Sequence, residues 1–367
     1  MKKGIKVCVL MGGDSSEREV SLRSGKGVAK ALTEAGYDVL AIDVSWRWEK
    51  ALGRRIGWEQ FNPSGWKDSL GALGVRFDVC TPKELGEKLS GFGADVAFVA
   101  LHGGYGEDGT IQAYLELIGM PHTSPPSKAC MIAMDKRLTK QLLVSAGLPT
   151  AEHFSLSKDE FEMVGVDEVS RRIEASFGFP CAVKPACEGS TIGVSKVTSS
   201  DELESALREA FRYGQWSIIE RWINGTEVTC AVLGEGSEAF ALPLIEIVPK
   251  APSGFYDYSA KYTVGMSDHI IPPRLPESVQ AKVSTLALSV HRLLGCSGFT
   301  RTDMIVDVDG NAFVLELNAV PGMTETSLVP DAAKAYGWSF TQLVDWIVRD
   351  ALRRWRTACK RDFQISP

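Results

Sequence analysis

Residues 298–330 read GFTRTDMIVDVDGNAFVLELNAVPGMTETSLVP. Two runs of alternating apolar residues flank Asp309-Gly310, a pair suited to a type I′ turn, so an antiparallel hairpin is expected. A two-residue loop sets Val308 opposite Asn311. Counting outward, Asp303 falls opposite Glu316 and Arg301 opposite Asn318, and all four side chains share a face because alternate residues point the same way. Directly paired Cβ atoms lie roughly 4.5–5.5 Å apart, so two carboxylates placed there repel unless a cation lies between them. Asn318 adds a neutral oxygen donor, and an all-oxygen set suits Mg²⁺ bridging to phosphates. Arg301 would bring positive charge to a nearby oxyanion. The alternative is a solvated face on an edge hairpin.

Upstream, Lys184 ends an apolar strand from Cys181 and precedes the loop Glu188-Gly189-Ser190-Thr191-Ile192-Gly193. Such a loop can close backbone N–H groups over phosphates, with the lysine as a point charge. A helix follows, opened by a possible capping box of Ser199 with Glu202 and carrying Leu203, Leu207, Ala210 and Phe211 on one face. Beyond about Tyr213 the chain turns strand-rich, with strands at Thr226–Leu233 and Ala239–Ile247. A long helix then buries Val279, Val283, Leu286 and Val290.

The first third alternates strand and helix. Ile5–Leu10, Val39–Val44 and Val96–Leu101 read as strands, and Val28, Ala31, Leu32 and Ala35 recur at helical spacing. This alternation implies a parallel, doubly wound unit. The turn Gly12-Gly13-Asp14-Ser15-Ser16-Glu17 lies at the carboxyl end of the first strand, where α/β ligands bind. From Ser45 to Leu89 the pattern weakens into a Trp- and Gly-rich segment, read as an insertion. Pro125-Pro126 marks a boundary, and a helix follows from Leu138 to Ala146.

At 367 residues, two or three domains are expected. With 44% hydrophobic and 23% charged residues the chain can bury sizeable cores. A net charge of −6, without a basic run, argues against nucleic-acid binding. No apolar stretch is long enough for a membrane span, and Gly12-Gly13-Asp14 cuts short anything resembling a signal peptide. The eight cysteines include no CxxC pair and read as thiols in a reducing cytoplasm. Gly104-Tyr105-Gly106-Glu107-Asp108-Gly109 matches a dinucleotide fingerprint, but Glu107 and Asp108 would put carboxylates where a pyrophosphate belongs. The acidic residue expected about twenty positions later is missing as well.

Taken together, the segments resemble the D-alanine–D-alanine ligase family of the ATP-grasp superfamily. The matching pieces run in family order: Gly12-Gly13 with Ser16 to Ser21, His102-Gly103 with Gly106 to Gly109, Asp135-Lys136, Val183-Lys184-Pro185 and Gly189-Ser190. They continue with Tyr256-Asp257-Tyr258, Lys261-Tyr262, Arg301 with Asp303, Glu316 with Asn318, Pro321 to Thr324, and Ser327-Leu328.

The resemblance implies a three-domain ATP-grasp fold, α/β with an α+β C-terminal part. An N-terminal doubly wound substrate-binding domain spans 1–123, a central lid domain 124–213 and a C-terminal catalytic domain 214–367. ATP would be held by Lys136, Lys184, Glu220, Arg221, Ile223, Glu227 and Lys261. Asp303, Glu316 and Asn318 would bind two Mg²⁺ or Mn²⁺ ions. Glu17 and His102 would meet the first D-alanine, and Ser327 with Leu328 the carboxylate of the second. Arg301 and the Gly322 N–H would form the oxyanion site. Ser190 and Tyr262 would join Glu17 in a hydrogen-bonded set that holds a mobile loop closed, with a second closing segment at 252–266. The implied protein is a cytoplasmic homodimer serving peptidoglycan synthesis, with D-alanine and ATP as its substrates and no nucleic-acid or membrane partner. Its acceptor would be an amine rather than D-lactate. Three departures stand out: Thr191 replaces a second serine, Arg221 a common lysine, and Ser45–Leu89 has no counterpart in shorter members.

Overall fold

The computed structural model describes residues 4–46, 63–250 and 266–362. Strands β1 (Lys6–Gly12), β2 (Asp38–Val44), β3 (Arg76–Cys80) and β4 (Val96–Val99) form a parallel sheet in the order β3-β2-β1-β4. Helices α1 (Arg18–Glu34), α2 (Pro63–Gly71), α3 (Leu85–Phe92) and α4 (Thr110–Leu117) complete this unit. Central β1 is buried at every position but its first, because a parallel strand is covered on both faces.

The Ser45–Leu89 reading needs correction. This stretch supplies β3, which pairs with β2 from Leu40↔Arg76 to Val44↔Cys80, and it begins α3. As an edge strand reading RFDVC, β3 carries no continuous apolar run, which hid it from periodicity.

Helices α5 (Ser127–Met134) and α6 (Lys136–Ser145) lead into a second, antiparallel sheet of β5 (His153–Ser157), β6 (Cys181–Pro185), β7 (Ser195–Val197) and β8 (Trp216–Arg221), ordered β5-β8-β6-β7. Strand β8 lies past residue 213, so this sheet draws on the chain beyond the boundary expected from sequence. Helices α7 (Lys158–Ser176) and α8 (Ser200–Ala210) cover it, and Leu156, Phe161, Val183, Leu203, Leu207 and Ile219 fill its core. The expected capping box is displaced by one residue. Glu202 accepts from the Thr198 N–H and hydroxyl, at 2.7 and 2.9 Å, and Ser199 makes no side-chain cap.

The third sheet contains β9 (Thr226–Leu233), β10 (Phe240–Ala241), β11 (Ile245–Pro249), β12 (Ser267–Ile270), β13 (Phe299–Val306) and β14 (Ala312–Asn318). All its pairings are antiparallel, in the order β12-β11-β9-β13-β14 with β10 on β9. Helices α9 (Glu277–Leu293) and α10 (Leu328–Ala335) pack with it, and α11 (Phe340–Asp362) packs against α10 and against α1 and β4 of the first unit. One continuous apolar core joins Leu10, Ile42 and Val99 of the first sheet to Val228, Met304 and Val314 of the third. A second joins Val7 and Phe98 to Phe299, Val344 and Ile347. Helices α5 and α6 bury Cys130 and Leu143 in the first of these cores, not in that of the central sheet. Six of the eight free cysteines are buried. Among the described residues no helix is long and apolar enough to cross a membrane.

Candidate active site

The hairpin of β13 and β14 places Arg301 opposite Asn318 and Asp303 opposite Glu316, as counted from the sequence. The route to that register differs from the expectation. Val306 pairs with Ala312 and the Asp307 N–H donates to Asn311 O at 2.9 Å, so the loop has three residues, Val308-Asp309-Gly310. Gly310 adopts a left-handed φ of 79° and its N–H donates to Asp307 O at 3.1 Å, the usual three-residue geometry. Pairing therefore runs one residue out of the expected register near the turn. A bulge restores it, since Met304 faces Val314 while Asp303 faces Glu316, leaving Leu315 as the extra residue.

Internal cations occupy the carboxylate pair. Arg301 holds Asp303 in a bidentate contact at 2.8 and 2.7 Å, and the Thr229 hydroxyl donates to the same carboxylate at 2.5 Å. Lys136 Nζ lies 3.0 Å from Glu316 Oε2. Burial opposes the charge of Lys136, yet the Glu316 carboxylate raises its pKa above the ordinary lysine value. Asn318 Oδ1 accepts from the Val320 N–H at 3.1 Å. Asp303, Glu316 and Asn318 thus form an all-oxygen set facing cationic side chains, which is the donor chemistry a hard divalent ion needs.

Two cavities meet at this hairpin. One, of about 460 Å³, lies between the central and third sheets. Lys136, Lys184, Glu220, Arg221, Ile223 and Glu227 all line it, together with Asp303 and Glu316. The other, about 80 Å³, is lined by Glu17, His102, Ser190, Arg301, Gly322, Ser327 and Leu328. Lys136, Glu188 and Glu316 border both, so they form the wall through which a group could pass between them.

Helix α6 delivers Lys136 because Asp135 caps its start, accepting from the Arg137 N–H at 2.9 Å. The Lys136 ammonium also donates to the Glu188 carbonyl at 2.6 Å, tying the 188–193 loop to the wall. In that loop Ser190 and Thr191 take left-handed φ values of 51° and 62°, strained for residues with a Cβ. The Ser190 hydroxyl donates to Glu17 Oε1, which supports the closed position.

His102 lies between Glu107 Oε1, 3.2 Å from Nδ1, and Ser24 Oγ, 3.0 Å from Nε2. Ser24 Oγ in turn accepts from the Met323 N–H at 3.3 Å, so the imidazole links the first unit to the Gly322 turn. A Cβ on Gly322 would come within 2.9 Å of Ser327 Oγ, which makes glycine the fitting residue there. The misleading glycine fingerprint forms only a short 3₁₀ turn, Gly104–Gly106, before α4. Glu107 lines the smaller cavity, where burial raises its pKa against the lowering effect of His102. The sequence reading gave Glu107 no role and missed Lys140. The latter lies one helical turn after Lys136, a spacing that signals a shared face. Lys261 and Tyr262 lie outside the described residues, as does nearly all of the expected closing segment 252–266.

A nucleotide-sized cleft between two antiparallel sheets, entered by lysines from both sides and ended by a carboxylate hairpin, is the ATP-grasp architecture. Residues 6–125 match the family profile for the D-ala D-ala ligase N-terminus, and residues 142–349 match that for the C-terminus. The D-alanine–D-alanine ligase of Pelotomaculum thermopropionicum is 43% identical over 348 residues, covering 95% of this chain and 97% of that protein. The crystal structure of D-alanine–D-alanine ligase from Bacillus anthracis is similar at a TM-score of 0.75 and 32% identity, covering 97% of this chain and 100% of that one. Its complex with ATP is similar at a TM-score of 0.72 and 31% identity, covering 96% and 99% of the two chains. The chain belongs to the D-alanine–D-alanine ligase family.

Proposed function

We propose that the chain joins two D-alanines into D-alanyl-D-alanine, consuming ATP and releasing ADP and phosphate. The observation that carries this reading is the shared wall. A nucleotide-sized cleft and a small polar cavity meet at Lys136, Glu188 and Glu316. The γ-phosphoryl group can therefore pass to a carboxylate in the smaller cavity without entering solvent.

In the first step the carboxylate oxygen of one D-alanine takes the γ-phosphoryl group and ADP departs. Lys136 and Lys184 supply positive charge along the phosphates, while Arg221, Ile223 and Glu227 surround the nucleoside. Glu17, buried and held by Ser190, accepts from the ammonium of that D-alanine. In the second step the neutral amine of the other D-alanine attacks the acyl carbon and sheds a proton, and phosphate leaves. Arg301 and the Gly322 N–H face the developing oxyanion. Ser327 and Leu328, at the start of α10, direct a helix N-terminus at the second carboxylate. Asp303, Glu316 and Asn318 would hold two Mg²⁺ or Mn²⁺ ions once Arg301 and Lys136 release the carboxylates. Those ions would neutralise charge on the transferring phosphoryl group. The resemblance further supports a cytoplasmic homodimer whose dipeptide feeds peptidoglycan synthesis.

The acceptor choice has a direct test. With ATP, Mg²⁺, D-alanine and equimolar D-lactate near neutral pH, mass spectrometry is expected to show the amide dipeptide as the dominant product. Comparable amide and ester yields would remove the acceptor assignment and leave the ligase chemistry in place.

A further inference from the structure

Helix α10 presents its start to the smaller cavity through Ser327 and Leu328. Pro330 has no N–H, and the Asp331 N–H already donates to Ser327 O at 3.2 Å. Leu328 and Val329 are therefore the backbone donors that this helix end can offer a carboxylate. Asp331 stands in the same first turn, three residues after Leu328 and four after Ser327, a spacing that puts all three on one helix face. Helical Cβ atoms tilt towards the N-terminus, so the Asp331 side chain leans back over the turn that lines the cavity. An anion there stabilises the helix, but it repels a second anion brought to the same end.

That charge is met from another element. His269 lies on β12, an edge strand of the third sheet, opposite Ile247 of β11. Its neighbour Asp268 pairs with the exposed Lys250 at 2.5 Å. The His269 ring turns instead to α10, and its Nδ1 lies 2.6 Å from Asp331 Oδ2. An ionised carboxylate only accepts hydrogen bonds, so Nδ1 carries the proton and donates. The two side chains are only 16% and 29% exposed, which limits how far water screens the aspartate. His269 Nε2 is buried without a hydrogen-bond partner among the described residues, so the contact with Asp331 is what holds the ring. Lys334, in the last turn of α10, is exposed, and among the described residues His269 is the side chain that pairs with Asp331.

We propose that His269 is a positioning residue for the acceptor: by holding and offsetting Asp331, it keeps the start of α10 receptive to the carboxylate of the second D-alanine. This rests on the acceptor site proposed above. Asp331 gives the short helix its first-turn anion, and His269 removes the penalty which that anion would impose on the substrate.

The test follows dipeptide formation by the full-length protein against D-alanine concentration, at saturating ATP and Mg²⁺. The rate rises with the square of the concentration while both sites are unsaturated and linearly once the first is filled, so the curve resolves a KM for each D-alanine. His269→Leu leaves the aspartate bare and is expected to raise KM for the second D-alanine about three- to tenfold, the scale of a charge at a partly exposed helix end. KM for the first D-alanine and KM for ATP should not change. Asp331→Asn removes the repelling charge and should not raise the second KM. The double variant should return to the Asp331→Asn value, because no charge is left for His269 to offset. A mere prop between β12 and α10 behaves otherwise. Both single substitutions would then raise the second KM, the double variant would do no better than either, and that pattern overturns the proposal. An unchanged second KM in His269→Leu overturns it as well. If His269→Leu fails to fold, a raised second KM in Asp331→Asn is enough to overturn it. A wild type that formed no dipeptide would remove the acceptor site itself and this proposal with it, a result visible before any variant is made.

Discussion

Asp303→Asn and Glu316→Gln are each expected to lower kcat about 10²–10³-fold at saturating ATP and Mg²⁺, the scale of losing one preorganised charge at a phosphoryl-transfer site. Both substitutions keep the shape of the side chain and remove one negative charge from a directly paired position. The consequence for stability runs against the like-charge argument from sequence, under which the metal-free protein would not suffer. Asp303 carries a bidentate Arg301 whose side chain is only 12% exposed, and Glu316 carries Lys136, 9% exposed. Neutralising either carboxylate leaves a buried cation without its anion, at a cost of about 1–3 kcal/mol. Urea unfolding of the metal-free variants measures that cost, and steady-state assays measure the rate. Near wild-type kcat in either variant would refute the metal-site assignment.

Ser190→Ala is expected to raise KM for D-alanine about tenfold or more and to increase ATP hydrolysis without ligation. The hydroxyl donates to a buried carboxylate, Glu17, and hydrogen bonds to charged groups are worth more than neutral ones. It also opposes the backbone strain at Ser190 and Thr191, two adjacent left-handed residues costing about 1–3 kcal/mol each. Without it the loop samples open forms, and water reaches an activated acyl group. Glu17→Gln should weaken D-alanine more, because it also removes the anion facing the ammonium. Steady-state kinetics, with dipeptide formed per ADP released as the coupling measure, distinguishes these effects. A Ser190→Ala enzyme with unchanged KM and full coupling would mean that the loop closes by other contacts.

Much of the site was legible because its residues sit on strongly patterned elements. The β13–β14 hairpin shows both the strength of that reading and its weakness. Alternation correctly put Arg301, Asp303, Glu316 and Asn318 in facing pairs, yet the turn type was wrong. A longer loop and a bulge at Leu315 offset each other, and neither leaves a hydropathy signal. Strand β3 was lost because edge strands need no apolar run, and Ser24 because a buried hydroxyl inside α1 looks like any helix serine. Lys140 was passed over because nothing in a sequence says which of two lysines on one helix face is deeply buried. That distinction comes from Thr150 and Glu220, respectively ten and eighty residues away along the chain.

The separate core of the central sheet divides the molecule into two cooperative blocks. The first and third sheets share continuous apolar packing, reinforced by the Tyr37 hydroxyl donating to Asp345 at 2.7 Å, and should melt together. The central sheet, closed around Leu156, Val183 and Ile219, meets them through polar contacts that include Lys136 with the Glu188 carbonyl, Lys140 with Glu220 and Ser190 with Glu17. A calorimetric trace of the nucleotide-free protein should then contain two transitions. Nucleotide, gripped by both blocks, would draw the two towards one by mass action. The catalytic cleft is thus also the seam at which the protein's thermal cooperativity is decided.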